Sequence, residues 1–114
     1  MRGRALAGAF ATLAAATGVA IPALASSGGQ AAGVHSVTLS HIRYHPGTLN
    51  IRRGDTVRWL WEDRGNEHNV TGHGFKSRTM TKGSFSVRFT RAGTFNYHCT
   101  IHVAEGMKGK IVVH

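Results

Sequence analysis

Cys99 is the only cysteine in this chain of 114 residues, and it stands in the run His98-Cys99-Thr100-Ile101-His102-Val103-Ala104-Glu105-Gly106-Met107. His102 follows it after two residues, and Met107 follows His102 after four more. Far upstream another imidazole stands in Glu67-His68-Asn69-Val70. A thiolate, two imidazoles and a thioether are the donors that electron-transferring copper prefers: two His and a Cys in a plane, with a weak, long axial Met. Structural zinc draws on more thiolates than one cysteine supplies. Four protein donors also leave no open position on a metal, which catalysis on a small molecule would need.

Copper that moves one electron at a time favours a rigid scaffold offering one compromise geometry, and rigidity comes from regular elements. The chain from Val34 onward has no helical period and reads as short strands between Gly, Pro, Asn and Asp. Strands are expected at 34–40, 42–45, 48–52, 56–61, 68–71, 84–89, 94–99 and 110–114. Pro46-Gly47, Gly54-Asp55 and Arg91-Ala92-Gly93 mark turns. Val57, Trp59 and Trp61 share one face, as do Phe85, Val87 and Phe89, and Phe95, Tyr97 and Cys99. Both tryptophans are expected to fill the core. The segment 62–82 is polar and reads as mostly loop. Seven to eight strands at this spacing predict an all-β fold, a Greek-key antiparallel β-sandwich. Cys99 then ends one strand, Met107 opens the turn into the last, and His68 pins their loop from across the sandwich.

The N-terminal segment has the features of an export signal. Arg2 and Arg4 precede an uncharged stretch rich in Ala, Gly and Thr, and Ala23-Leu24-Ala25 is an A-x-A cleavage sequence. An uncleaved anchor would want about 20 predominantly apolar residues, and this stretch has few large ones. The expected organisation is a cleaved signal peptide over 1–25, a flexible leader over 26–33 and one domain over 34–114. No stable membrane span is expected after cleavage, and the destination is periplasmic, extracellular or the cell surface. A domain this small has a marginal core and is commonly stapled by disulfides or a metal. One cysteine excludes an internal disulfide. A lone thiol in an oxidising compartment also needs a protective role, which ligation gives it.

The whole chain carries a net charge of +9, and removing Arg2 and Arg4 leaves 12 basic residues against 5 acids, a net of +7. Such a surface steers anionic partners toward it. The basic residues are scattered, with no run longer than two and no reading motif, so nucleic-acid binding is not expected. No acid–base pair or nucleophile is placed for catalysis, and the chain is not expected to be an enzyme. His35, His41, His45, His73, His98 and His114 lack partners at ligand spacing and are read as surface or hydrogen-bonded structural residues. His73 is the one that invites a check as an accessory metal site, and Met80 reads as packing.

Taken together, these segments resemble the cupredoxins, the type 1 or blue copper proteins, and most closely their plastocyanin and pseudoazurin group. The resemblance rests on Tyr44-His45-Pro46, Leu49-Asn50-Ile51, Gly54-Asp55-Thr56-Val57, His68-Asn69-Val70, Gly93 through Cys99, and Met107 through Val113. It implies a single type 1 copper ion held by His68, Cys99, His102 and Met107. It also implies that Asn69 hydrogen-bonds the ligand loop and shields the sulfur. The expected function is to carry single electrons between redox protein partners with acidic docking surfaces, as a monomer. Residues near His102, including Ile101 and Val103, would form the docking surface. The alternative is copper binding, storage or delivery outside the cytoplasm. Glu67 stands where many plastocyanins place proline, and the acidic patches of plant plastocyanins are absent.

Overall fold

A computed structural model of the chain describes residues 31–114. The expected signal peptide and all but the last three residues of the expected leader lie outside the described residues. Alternating burial builds the strands. In β1 (Val34–Ser40), Val37 and Leu39 point inward; in β4 (Thr56–Trp61), Val57, Trp59 and Trp61 do so, with Arg58 in water. β2 is Arg43–His45, β3 is Thr48–Ile51 and β7 is Gly83–Arg88. β8 (Gly93–His98) and β9 (Lys108–Val113) flank the cysteine loop, and β5 (Thr71–Gly72) and β6 (Phe75–Lys76) form a small hairpin.

The strands form two sheets, ordered β2-β1-β4-β7 and β3-β9-β8-β5-β6. Their apolar faces meet around Trp59, which lies edge-on to Tyr97 at 5.3 Å between ring centroids and stacks on Phe75 at 5.9 Å. Such aromatic contacts add to the stabilisation from burial itself. Phe85 and Val87 are only half-buried because β7 is an edge strand.

The sandwich is all-β as expected, but its sheets are mixed where antiparallel pairing was expected. β1 runs parallel to β4, pairing Val37 with Trp59, and β9 runs parallel to β3, pairing Ile111 with Leu49. The chain leaves the first sheet after β2 and, having crossed through β3, returns with β4 on the far side of β1, so the parallel neighbours β1 and β4 are joined by a crossover and not by a hairpin. A one-sided apolar alternation is identical for parallel and antiparallel neighbours, so the sequence pattern cannot distinguish them.

The other difference lies between β4 and β7. The short strand expected at 68–71 begins only at Thr71 and turns back at once through β6, which brings the strands among the described residues to nine. His68 instead forms an isolated antiparallel bridge with Met80. The last strand starts at Lys108, two residues earlier than expected, directly after Met107.

β8 and β9 approach closely because Gly109 faces inward opposite Tyr97. A Cβ at Gly109 would lie 2.5 Å from the Tyr97 hydroxyl and 3.0 Å from the Gly47 carbonyl oxygen. Glycine is what lets the Tyr97 ring pass beneath the strand that follows the ligand loop.

Candidate metal centre

His68 is fixed on three sides. Its backbone N–H donates to Met80 O and its carbonyl accepts from Met80 N, both at 2.9 Å. The same carbonyl accepts from the Trp61 indole Nε1 at 2.9 Å. Trp61 is therefore more than core filling: it holds a candidate ligand's backbone. The His68 side chain is wholly buried, with Nε2 at 2.6 Å from Asp63 Oδ2 and Nδ1 at 3.9 Å from Cys99 Sγ.

Cys99 follows the last residue of β8 and is fully buried, as the parity of Phe95, Tyr97 and Cys99 requires. Its neighbour His98 points to solvent. The loop that follows closes on itself: Cys99 N donates to Met107 O at 3.0 Å, and Met107 N to His102 O at 3.2 Å. Between them Val103–Glu105 form a 3-10 turn ended by Gly106 at φ 76°, a left-handed conformation that suits glycine. Met107 emerges buried beside Cys99's strand end, at 1% exposure.

Asn69 joins the two halves of the site. Its Oδ1 accepts from Thr100 N at 3.1 Å and from the Thr71 hydroxyl at 3.0 Å. Its Nδ2 donates to the hydroxyls of Thr100 at 2.8 Å and Thr79 at 3.0 Å. The Asn69 carbonyl accepts from the Tyr44 hydroxyl at 2.6 Å. Burial, then the nearby Cys99 and Tyr97, push the Tyr44 phenol well above its ordinary range, so Tyr44 remains a neutral donor.

His102 lies beside His68, with ring centroids 4.9 Å apart. Its Nε2 donates to Glu67 O at 3.1 Å, and its Nδ1 lies 3.6 Å from the carboxylate of Glu105. The structure therefore gathers His68, Cys99, His102 and Met107 at one end of the sandwich, yet both ring nitrogens of His102 face neighbours in the two loops. Among the described residues, no three side chains of His, Cys, Asp or Glu converge as a metal cage. The donor chemistry fits copper: a buried thiol beside an imidazole nitrogen, with a buried thioether and a second imidazole adjoining.

Sequence reasoning missed Asp63. Burial opposes its charge, but hydrogen bonds led by that from His68 and followed by Ile42 outweigh burial and hold the carboxyl at about 2. No periodicity or motif marks a single aspartate in the polar stretch Glu62-Asp63-Arg64-Gly65.

The remaining histidines behave as surface or structural groups. His35 bonds Asp55, His45 the Ser40 carbonyl and His114 the Asn50 side chain. His73 is exposed and belongs to no metal-like cluster among the described residues. Met80 packs against the core.

The sequence profile of the copper binding proteins of the plastocyanin/azurin family matches residues 31–114. Amicyanin from Paracoccus denitrificans is 37% identical over 84 residues, which cover 68% of this chain and 63% of amicyanin. The copper-resistant cuproprotein CopI from Rubrivivax gelatinosus is 30% identical over 107 residues, covering 70% of this chain and 65% of CopI. Plastocyanin from Scenedesmus fuscus is 30% identical over 87 residues, covering 61% and 85%. The chain thus spans slightly less than two thirds of the length of amicyanin and CopI. Among solved structures, an oxidised amicyanin mutant superposes with a TM-score of 0.61 at 35% identity, over 70% of this chain and 81% of its own. A reduced mutant superposes at 0.63 and 35% identity, over 75% and 86%. Family profile, relatives and fold agree: the chain belongs to the copper-binding plastocyanin/azurin family and is a cupredoxin.

Proposed function

We propose that this cupredoxin is a type 1 copper protein that carries single electrons between redox partners, with His68, Cys99, His102 and Met107 as the ligands. The observation that carries the reading is the buried pair His68 Nδ1 and Cys99 Sγ, 3.9 Å apart, with the other His68 nitrogen engaged by Asp63. Copper held there supplies a one-electron couple between its (I) and (II) states. The chain's own residues do the rest. Asn69 and the Cys99–Met107–His102 backbone bonds keep the loop rigid, so the donors move little between oxidation states. Burial of Cys99, His68 and Met107 excludes water from the thiolate. His102 would supply the second imidazole through one ring nitrogen, freed from its contact with Glu67 or Glu105.

The exposed side chains of Ile101 and Val103 flank the partly exposed His102 and offer an apolar docking surface for a redox protein. The basic excess favours partners whose rims are acidic. Export follows from the Arg2, Arg4 and Ala23-Leu24-Ala25 pattern, with cleavage after Ala25 releasing a monomeric domain. No helix among the described residues is long and apolar enough to cross a membrane.

The match to CopI favours a second reading, copper binding or delivery outside the cytoplasm. Voltammetry, electron self-exchange and transfer to a Cu(I) chelator separate the two. A carrier gives a reversible one-electron couple, fast self-exchange and retained copper. Sluggish exchange with rapid loss of copper to the chelator would favour the handling role.

A further inference from the structure

Asp63 Oδ2 lies 2.6 Å from His68 Nε2 and also accepts the backbone N–H of Ile42 at 3.0 Å. Ile42 and its neighbour His41 are both left-handed, at φ 57° and 54°. A β-branched residue rarely adopts that conformation, so the turn between β1 and β2 is strained, and such strain persists where surrounding contacts enforce it. The residues after Asp63 fold back as well, with Asn66 N donating to the Asp63 carbonyl at 2.9 Å. One carboxylate oxygen therefore ties a strained turn, a loop and a buried imidazole together.

We propose that Asp63 is the positioning residue of the site: it holds the His68 proton on Nε2, leaving Nδ1 bare and aimed at Cys99. The proton position on a histidine is set by the hydrogen bond its other nitrogen makes. A carboxylate can only accept, so Nε2 must donate. Nδ1, 3.9 Å from Cys99 Sγ, is then the lone-pair nitrogen, as a metal ligand requires. The Ile42 N–H keeps the carboxylate from swinging away. The role in metal binding rests on the functional reading above; the proton placement does not.

Nitrogen-15 NMR of the metal-free protein at pH 8 tests the placement directly. The expected spectrum shows His68 as a single tautomer with its proton on Nε2; a proton on Nδ1 overturns the proposal in the parent protein, without any variant. Asp63→Ala is expected to give mixed tautomers and at least roughly tenfold weaker Cu(II) binding, a loss typical of an outer-shell partner. Asp63→Asn keeps one acceptor oxygen and is expected to retain the tautomer and most of the affinity. A folded Asp63→Ala protein with unchanged tautomer, or with Cu(II) affinity within twofold of the parent, contradicts the proposal. The tautomer measurement uses no metal, so it decides the role of Asp63 even where the parent binds copper without turning blue.

Discussion

The Asn69 side chain grips Thr100 twice, its Oδ1 accepting the Thr100 backbone N–H at 3.1 Å and its Nδ2 reaching the Thr100 hydroxyl at 2.8 Å. This contact joins the segment bearing His68 to the loop that begins at Cys99. Asn69→Ala would remove the partner of the Thr100 N–H and of the hydroxyls of Thr71, Thr79 and Thr100. A cost of about 0.5–1.5 kcal/mol is expected for each hydrogen bond lost, measured by denaturant unfolding of the metal-free protein. The same variant is expected to broaden NMR signals across residues 99–107, since the loop loses its anchor.

The two imidazoles differ in access. The His68 side chain is wholly buried and that of His102 is 16% exposed. His102→Gly is expected to open a hole to solvent, so that added imidazole enters and restores the absorption of the Cu(II) form. His68→Gly leaves an enclosed hole, and imidazole is expected to restore it poorly. Equal rescue of the two variants would contradict the burial that distinguishes them.

Asp55 ties the start of β1 to the turn before β4. Its Oδ1 accepts from Gly33 N at 2.8 Å, and its Oδ2 from His35 Nε2 at 2.9 Å and Arg52 N at 3.1 Å. These bonds, the one from Gly33 foremost, lower its carboxyl from 3.8 to about 2. A carboxyl depressed by folding stabilises the protein fully above its unfolded value, and the contribution fades as pH falls toward the folded one. Stability is therefore expected to fall between about pH 4 and 2. Asp55→Asn should flatten that limb of a urea-midpoint profile relative to the parent, and an unchanged slope would contradict the assignment.

Gly109→Ala is expected to destabilise by about 1–3 kcal/mol, the usual cost of overpacking, because the added methyl meets the Tyr97 hydroxyl and the Gly47 carbonyl. Chemical denaturation measures it. Alanine at Gly65 is the control, since no other atom lies near a Cβ there; its φ of 82° leaves only backbone strain.

Much of this could be read from residue order. Period-two alternation in Val57-Arg58-Trp59-Leu60-Trp61 and Phe95-Asn96-Tyr97-His98-Cys99 identified the inward faces, and the same parity put His98 outside and Cys99 inside. What alternation lacks is neighbour identity, so the parallel pairing of β1 with β4 and of β3 with β9 was hidden. The β5–β6 hairpin was hidden as well, because two-residue strands carry no period. Spacing singled out His68, Cys99, His102 and Met107 as a donor set, and the structure gathers them at one end. It could not reveal that His102 rests on Glu67 and Glu105, since those contacts depend on side-chain rotation. Asp63 and Trp61 were illegible as site residues for a related reason: their roles come from tertiary hydrogen bonds to one buried histidine.

The measurement that bears most directly on the central claim is the visible absorption spectrum of the metal-free protein titrated with Cu(II), beside that of Cys99→Ser. An intense blue band from sulfur-to-copper charge transfer is expected, saturating at one copper per chain and absent in the variant. A parent that stays colourless, or a Cys99→Ser protein that turns equally blue, would contradict ligation by Cys99.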